Sequence, residues 1–231
     1  NTLTNYYLPY GVVPNVLINS QSYWVPMAIE ESSVVAASSK SAKFWHSVGG
    51  LEAVVHSTTK VGQVHFSYNG SFEKLKTFFL SIKKELIDGL SSITANMNKR
   101  GGGLLEMECL DKTDLEENYY QIFCKFETCD AMGANFINSC LEKISSDFKE
   151  LVQGSEVFSD SEEIDIIMSI LSNFTPECLV EVKAKCSIKD LEKISMDLTG
   201  REFAEKIQKA VRISHIDPYR AATHNKGIFN G

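Results

Sequence analysis

The sequence predicts an α+β protein in which a β-α-β-β-α-β unit, residues 59–173, interrupts a larger mixed α/β domain. Two observations carry this prediction. Between residues 60 and 172, apolar and polar residues alternate in four short stretches, as in half-buried strands, and apolar residues recur every three or four positions in two longer stretches, as in helices. The order of these six segments is that of the ferredoxin-like arrangement. Residues 1–58 and 174–231 are expected to form the two parts of the larger domain.

The larger domain is predicted to begin with a hairpin and a helix. Strand-like residues at 16–18 and 23–25 flank the polar stretch 19–22, which is predicted to be the turn. The acidic residues and serines at 30–33 suit the free N–H groups and the dipole of a helix start. The helix should continue to the glycine pair at 49–50, because glycine readily adopts the left-handed conformation that ends helices.

The inserted unit is predicted to contain four strands and two helices. Its strands lie near 64–68, 105–109, 120–126 and 164–170, and its helices lie near 72–86 and 137–151. The last of these strands is nearly all apolar, so a helix is the alternative at that position. Beyond the inserted unit, the sequence predicts a strand at 179–188 and a helix at 200–214.

Composition and charge exclude several classes of protein. No stretch approaches the ~20 apolar residues of a membrane span, no secretory signal opens the sequence, and the net charge of −7 disfavours nonspecific nucleic-acid binding. The six cysteines contain no C-x-x-C pair and have no histidine at zinc spacing, so they are interpreted as reduced residues and no metal site is expected. A cytoplasmic protein without a nucleic-acid or membrane partner is therefore expected.

The stretch 217–231 concentrates polar donors that a core segment would not carry. Pro218 should break the preceding helical pattern, and a solvated loop followed by a helix start is the plain structural interpretation. The chemical interpretation is that the planar guanidinium of Arg220 suits a carboxylate and that the ammonium of Lys226 suits a developing oxyanion. The residue types alone leave both interpretations open.

A second candidate site is the stretch 130–135, which leads from a predicted strand into a predicted helix. Gly133 would let a ligand approach the backbone, and the free N–H groups of a helix start favour a diphosphate. An ordinary helix cap is the alternative, and the pattern by itself favours it. The glycines at 101–103 lie between a helix and a strand, which is the wrong context for a phosphate-binding loop, and they are interpreted as a turn.

Three stretches of the sequence resemble motifs of the class II, bacterial-type branch of the 3-hydroxy-3-methylglutaryl-CoA (HMG-CoA) reductases. Residues 217–231, DPYRAATHNKGIFNG, are similar to its lysine motif. Residues 25–37, VPMAIEESSVVAA, resemble its glutamate motif, and residues 130–135, DAMGAN, resemble its nucleotide-binding motif. The three stretches follow the family's order, and this combination is more specific than any one of them.

The resemblance implies an oxidoreductase that interconverts HMG-CoA with mevalonate and coenzyme A, using two molecules of NADH or NADPH. In the family pattern, Glu31 is the proton donor and Lys226 stabilises the carbonyl oxygen that receives the hydride. The implied substrate contacts are Ser33, Arg220, Thr223 and Asn230. The implied dinucleotide contacts in the inserted unit are Asp130, Met132, Gly133, Asn135 and Asn173. The resemblance also implies a homodimer, with active sites built across the subunit interface.

The sequence departs from the family pattern near its beginning. Ser32 stands where the family often has proline, Thr4 stands where it has glycine, and Asn1 would be the second member of a glutamate-asparagine motif. The family also needs an aspartate and a histidine that lie beyond its lysine motif. The 231 residues are therefore expected to be a piece of a longer protein, active as a whole and inactive as this piece.

Three alternatives stay open from the sequence. The first is a homologue that binds the substrate without turning it over. The second is a different enzyme of CoA thioesters, although no local pattern supplies a nucleophile beside a histidine. The third is a ferredoxin-like regulatory or RNA-binding module, to which Tyr119 and Phe123 would contribute aromatic rings on one face of a central strand.

Overall fold

A computed structural model describes residues 2–230, and the contacts in it divide the chain into two compact units. Unit 1 comprises residues 2–54 and 181–230, and unit 2 comprises residues 55–180. The predicted boundary after residue 58 falls inside a strand, β3 (Leu51–Tyr68), which begins in unit 1 and continues into unit 2. Within the described residues, no helix is both long and apolar enough to span a bilayer.

Unit 1 begins with an antiparallel hairpin of β1 (Tyr10–Ile18) and β2 (Gln21–Ala28), followed by α1 (Ser32–Ser47), which packs against β1. The turn contains only Asn19 and Ser20, whose φ angles of 49° and 67° are those of a two-residue hairpin turn. The predicted four-residue turn was therefore too long, since its last two residues already pair in β2. The Asn19 side chain also bonds both backbone groups of Ala53, which fixes the hairpin to the start of β3.

The C-terminal part of unit 1 contains three helices, α5 (Ile188–Leu191), α6 (Gly200–Ile216) and α7 (Pro218–Asn230). The strand predicted at 179–188 is shorter, because β7 (Cys178–Ala184) ends before Ser187 and Asp190 cap each other at the start of α5. Both α5 and α6 begin with a capping box, in which a hydroxyl and a carboxylate three residues apart satisfy each other's backbone N–H groups.

Pro218 does end the preceding helical pattern, since α6 ends at Ile216, but no loop follows it, because Pro218 is the first residue of α7. Proline breaks a helix interior, but it suits the first helical position, where its missing N–H would have had no partner. The Asp217 carboxylate accepts the N–H of Tyr219 at 3.0 Å and so caps the new helix. The structure describes residues 217–230 of the lysine motif. These residues are the capping Asp217 and the helix α7.

Unit 2 contains the strands and helices predicted for it, with one addition. After β3 come α2 (Phe72–Gly89), α3 (Ser91–Asn98), β4 (Gly103–Asp111), β5 (Tyr119–Glu127), α4 (Ala134–Gln153) and β6 (Ile164–Leu171). The short helix α3 was not predicted. These strands lie side by side in the order β6-β3-β5-β4, and each pair is antiparallel.

The core of unit 2 lies between one face of this sheet and the helices α2 and α4. Every second residue of β3 points into it, so Val64, Phe66 and Tyr68 have no exposed surface. The same alternation buries Ile122, Cys124 and Phe126 of β5, and the two helices contribute Leu75, Leu86, Ile137, Leu141 and Phe148. Because only one face of each strand and helix is buried, apolar residues recur in the sequence every second position in the strands and every three or four positions in the helices.

A buried tyrosine of unit 2 is hydrogen-bonded to a carboxylate near the start of β6. Tyr68 donates a hydrogen bond to Glu162 at 2.6 Å, and Lys74 pairs with the same carboxylate. The N–H of Ser159 donates to it at 2.9 Å. The hydrogen bonds from Lys74, Ser159 and Tyr68 together hold the pKa of Glu162 at about 2, against an ordinary 4.5.

The lowered pKa of Glu162 predicts that this carboxylate stabilises the fold and that the stabilisation is lost in acid. Because the pKa of Glu162 is lower in the folded state, the carboxylate stabilises the fold above pH 4.5, and the effect is lost as the pH falls toward 2. Glu162→Gln should flatten this part of the unfolding free energy against pH, measured by urea denaturation between pH 2 and 6. Glu163→Gln, at the exposed neighbouring position, should keep the steep wild-type dependence. Parallel curves for all three proteins would contradict the assignment.

Candidate functional site

The predicted proton donor lies at the start of α1. Glu31 is the N-cap residue of this helix, with extended backbone angles (φ −113°, ψ 100°), and it is exposed. The hydroxyl of Ser33 donates a hydrogen bond to the Glu31 carboxylate at 2.6 Å. The structure therefore joins a predicted proton donor to a predicted substrate contact, and it fixes the carboxylate at the beginning of the helix.

Four predicted site residues follow one side of α7. A helix advances about 100° per residue, so positions 220, 223, 226 and 230 fall within an arc of about 120°. Arg220 and Lys226 are exposed, and neither forms an ion pair with any residue in 2–230. Thr223 donates its hydroxyl to the carbonyl oxygen of Tyr219 at 2.9 Å, so it must give up that bond to donate to a substrate. Asn230, at the end of α7, is partly buried.

Glu31 and Lys226 belong to the same unit, but the structure does not bring them into contact. The helix α1 packs against β1, whereas α7 packs against α6. Among residues 2–230, no ion pair or hydrogen bond connects the two side chains. Their convergence on one carbonyl group stays a prediction.

The predicted nucleotide-binding stretch connects β5 to α4 through a tightly bonded turn. The hydroxyl of Thr128 donates to the carbonyl oxygen of Ala131 at 2.7 Å, and the N–H of Cys129 donates to the Glu127 carboxylate at 2.7 Å. A hydrogen bond from Thr58 is the main reason that the pKa of Glu127 is lowered, so this carboxylate is charged. These bonds hold the turn in one shape.

The turn ends at Gly133, which is the N-cap residue of α4 and has a left-handed φ of 82°. Because glycine has no side chain to accept from them, the first N–H groups of α4 are not capped by it. Asp130 and Asn135 are exposed on either side of Gly133. Uncapped N–H groups at the positive end of a twenty-residue helix suit an anionic ligand such as a diphosphate.

Two predicted dinucleotide contacts line one cleft of about 100 Å³ in unit 2. Met132 and Asn173 lie on its wall together with Lys60, a residue that stands in none of the three motifs. A cleft of this size suits a phosphate-sized group rather than a whole dinucleotide, since sites for whole ligands have roughly 300–1,000 Å³. The side chain of Met132 is 65% exposed, so it can cover a ligand that extends beyond the cleft.

Two hydrogen bonds bring Asn173 to this cleft. The side chain of Asn138, on the first turns of α4, accepts the N–H of Leu171 at 3.0 Å. The N–H of Ser172 donates to the carbonyl oxygen of Val61 at 2.8 Å. The end of β6 is thereby tied to both α4 and β3, and no local sequence pattern around residue 173 would have revealed this.

Replacing Gly133 should destabilise the protein through its backbone and its surroundings. An added Cβ would lie 2.5 Å from Cγ2 of Thr128, and the left-handed conformation itself costs about 1–2 kcal/mol for other residues. Gly133→Ala should therefore lower the free energy of unfolding in urea by about 2 kcal/mol or more. Gly101→Ala is the matched control, because Gly101 has a similar φ of 90° but no atom within 4 Å of the added Cβ.

The control separates the two causes of this loss. Gly101→Ala should cost only the conformational penalty of about 1 kcal/mol. In the Gly133→Ala background, Thr128→Ser removes Cγ2 and keeps the hydroxyl, so it should restore part of the lost stability. Equal losses at Gly133 and Gly101 would show that Thr128 does not crowd the turn.

The Tyr119 ring, one of the two that suggested an RNA-binding module, is engaged by its neighbours rather than free for base stacking. The hydroxyl of Tyr119 lies 2.6 Å from Nδ1 of His65, and the two rings stack with centroids 6.0 Å apart. Gln121 donates to the same hydroxyl. Burial lowers the pKa of His65, so this cluster carries no positive charge at neutral pH that would attract a phosphate backbone.

The six cysteines are free thiols. Burial raises the pKa of Cys109 to about 12 and that of Cys140 to about 11, which makes these two thiols poor nucleophiles. In the part of the chain that the structure describes, no group of three or more histidine, cysteine, aspartate or glutamate side chains could hold a metal ion.

Comparisons with known proteins agree along the whole chain. The sequence profile of the hydroxymethylglutaryl-coenzyme A reductase family matches residues 1–231. The 3-hydroxy-3-methylglutaryl-coenzyme A reductase of Archaeoglobus fulgidus is 31% identical over 231 residues, which are all of this chain and 49% of that protein. A probable enzyme of the same name from Borreliella burgdorferi is 32% identical over 239 residues, covering this whole chain and 50% of that protein.

A solved structure matches equally well. The class II 3-hydroxy-3-methylglutaryl-CoA reductase of Streptococcus pneumoniae, bound to NADPH in open conformations, has 36% sequence identity and a TM-score of 0.80. The match covers all of this chain and 53% of that one. The mixed α/β fold is thus the one found in class II reductases. The chain belongs to the hydroxymethylglutaryl-coenzyme A reductase family, and it spans about half the length of the curated relatives it matches.

Proposed function

We propose that the whole protein interconverts 3-hydroxy-3-methylglutaryl-CoA with mevalonate and free coenzyme A, using two molecules of NADPH or NADH. The observation that carries this proposal is the family match over residues 1–231, joined to a cleft where Met132 and Asn173 meet. The Streptococcus pneumoniae relative of the same fold is named as bound to NADPH, which favours that cofactor here. When bound, the cofactor supplies the two hydrides, four electrons in all, that turn a thioester into an alcohol.

Unit 2 would be a ferredoxin-like domain that binds the dinucleotide, and residues 1–58 and 174–231 would belong to the substrate domain. The antiparallel strand order β6-β3-β5-β4, with α2 and α4 over one face, supports the first assignment. The uncapped start of α4 offers backbone N–H groups to the diphosphate. Asp130, Met132, Gly133, Asn135 and Asn173 would contact the dinucleotide from the turn and from the end of β6.

The reacting carbonyl needs a cation and a proton, and this chain has one candidate for each. Lys226 would hold its ammonium beside the carbonyl oxygen and stabilise the negative charge that each hydride pushes onto it. Glu31 would give the alcohol oxygen its proton. The hydrogen bond from Ser33 would keep the Glu31 carboxyl in a single orientation.

The remaining residues of α7 would bind the substrate. Arg220 would pair with its free carboxylate in a two-point contact, and Thr223 and Asn230 would orient the substrate or Lys226. Ser33 would contact the hydroxymethylglutaryl group. Because no hydrogen bond or ion pair joins Glu31 and Lys226 among residues 2–230, we propose a homodimer in which one subunit's α1 faces the other's α7. The likeness to bacterial relatives supports a cytoplasmic enzyme.

An enzymatic assay of the whole protein tests this proposal. Incubated with HMG-CoA and NADPH, or with NADH, it should oxidise the nucleotide and release a free thiol that reacts with a disulfide reagent. Acetyl-CoA, which lacks the carboxylate for Arg220, is the matched control and should release little thiol. Nucleotide binding without turnover would instead identify an inactive homologue, and absence of both would overturn the proposal.

A further inference from the structure

We propose that Lys60 binds the diphosphate of the dinucleotide, an inference that rests on the function proposed above. Lys60 occupies a position where the strand pattern calls for an apolar residue. It shares the inward-facing side of β3 with Gly62, Val64 and Phe66, which are buried, and it is itself partly buried. A lysine is rare on the helix-covered side of a sheet, where most residues are apolar.

The hydrogen bonds of Lys60 leave one of its donors free, and its charge interacts with the nearby carboxylate of Glu127 without forming an ion pair. Its Nζ donates to the hydroxyl of Thr128 at 2.8 Å and to the carbonyl oxygen of Thr58 at 3.4 Å. Both acceptors are neutral, and an ammonium group has three N–H donors, so one of them is left over. No carboxylate oxygen of residues 2–230 lies within 4.0 Å of this nitrogen. Lys125, on the opposite face of the same sheet, is paired with both Glu177 and Glu106.

The ammonium lies at the positive end of α4. A Cβ added to Gly62, the next inward-facing position, would lie 2.9 Å from Ile137 in the first turn of this helix. Lys60 is two residues, about 7 Å, further along the strand, and its bond to Thr128 places it at the turn that precedes the helix. A cation at the positive end of a helix dipole is repelled unless an anion joins them.

The position of that anion follows from the cleft. Lys60, Met132 and Asn173 line the same space of about 100 Å³, which matches a phosphate group in size. A phosphate there could accept the spare N–H of Lys60 together with backbone N–H groups of the turn and α4. We assign it to the diphosphate because this is the anionic group that NADH and NADPH have in common, and because helix starts recognise diphosphates through their backbone.

Equilibrium binding to the whole protein tests this assignment without requiring turnover. Nucleotide fluorescence would give the Kd of NADPH and of NADH for the wild type, Lys60→Gln, Lys60→Arg and Lys125→Gln. Loss of one charge-assisted bond should raise both Kd values of Lys60→Gln by about 10- to 100-fold. Lys60→Arg should stay within about fivefold of the wild type, and Lys125→Gln should be unchanged. Thermal melting would establish that each variant is folded.

The other possible results of the binding measurements lead to different conclusions about Lys60. An unchanged Kd in a folded Lys60→Gln protein would overturn the inference and leave the proposed function standing. A loss for NADPH alone would assign Lys60 to the 2′-phosphate and would contradict a diphosphate contact. If the wild-type protein bound neither nucleotide, the proposed function itself would fail. If Lys60→Gln were unfolded, a normal Kd for Lys60→Arg would support the inference, and a loss of binding in that folded variant would overturn it.

Discussion

Lys226→Ala should lower kcat for HMG-CoA reduction by about 100- to 1,000-fold, because loss of one fixed donor at a developing oxyanion costs about 3–4 kcal/mol. Lys226 is exposed and has no ion-pair partner within residues 2–230, so its removal should leave the melting temperature nearly unchanged. Steady-state kinetics with saturating NADPH would measure the loss. A matched control is Lys209→Ala, an exposed lysine of α6.

The changes in kcat and in kcat/KM of Lys226→Ala show whether the lysine acts in the transition state. If Lys226 acts on the transition state, kcat and kcat/KM should fall together while the Kd of NADPH stays constant. Lys226→Arg keeps the charge but changes its shape, so partial activity is expected from it. Nearly full activity in Lys226→Ala, with a wild-type fold, would remove Lys226 from the mechanism.

Glu31→Gln should lower kcat by about 100- to 10,000-fold, the range in which a positioned general acid contributes. Glutamine preserves the acceptor for the Ser33 hydroxyl, so the start of α1 should keep its geometry. Glu30→Gln is a close control, since Glu30 is the exposed neighbour that precedes the N-cap position. The comparison should be made by following nucleotide oxidation at several pH values.

Comparison of the two glutamine variants distinguishes proton transfer by Glu31 from electrostatic stabilisation of the start of α1. If Glu31 only stabilised the positive end of α1, both glutamine variants would lose a few tenths of a kcal/mol in stability and keep their activity. Similar kcat values in Glu30→Gln and Glu31→Gln would therefore contradict a role in proton transfer. A mixture of Glu31→Gln and Lys226→Ala subunits should regain activity if the two groups meet across a dimer interface.

The elements of unit 2 could be predicted because one side of each is buried. In β3 and β5, inward residues such as Val64 and Ile122 are fully buried while Gln63 and Phe123 beside them keep some exposed surface, so the period of two survives in the sequence. The ambiguous apolar run at 164–170 is a strand, and its pairing with β3 decides this in favour of the strand. The helix α3 was missed because it has only eight residues, too few to show a clear period.

The candidate site was predictable only in part. Glu31, Lys226 and the stretch 130–135 stand in local motifs, so the resemblance could point to them directly. The break at Pro218 could be predicted, but proline also suits a helix start, so the sequence left open whether a loop or a helix capped by Asp217 follows. Lys60 lies about 70 residues from the turn it contacts, and only the pairing of β3 with β5 brings them together. Its sole trace in the sequence is a charge at an inward-facing strand position.

The most direct test of the account is the stoichiometry of the reaction catalysed by the whole protein. Parallel measurement of nucleotide oxidised, thiol released and mevalonate formed should give two NADPH consumed for each coenzyme A and each mevalonate. A thioester whose carbonyl is reduced to an alcohol at the Lys226 and Glu31 site requires this ratio. Thiol release without nucleotide oxidation, or one nucleotide consumed per thiol with no mevalonate, would contradict it.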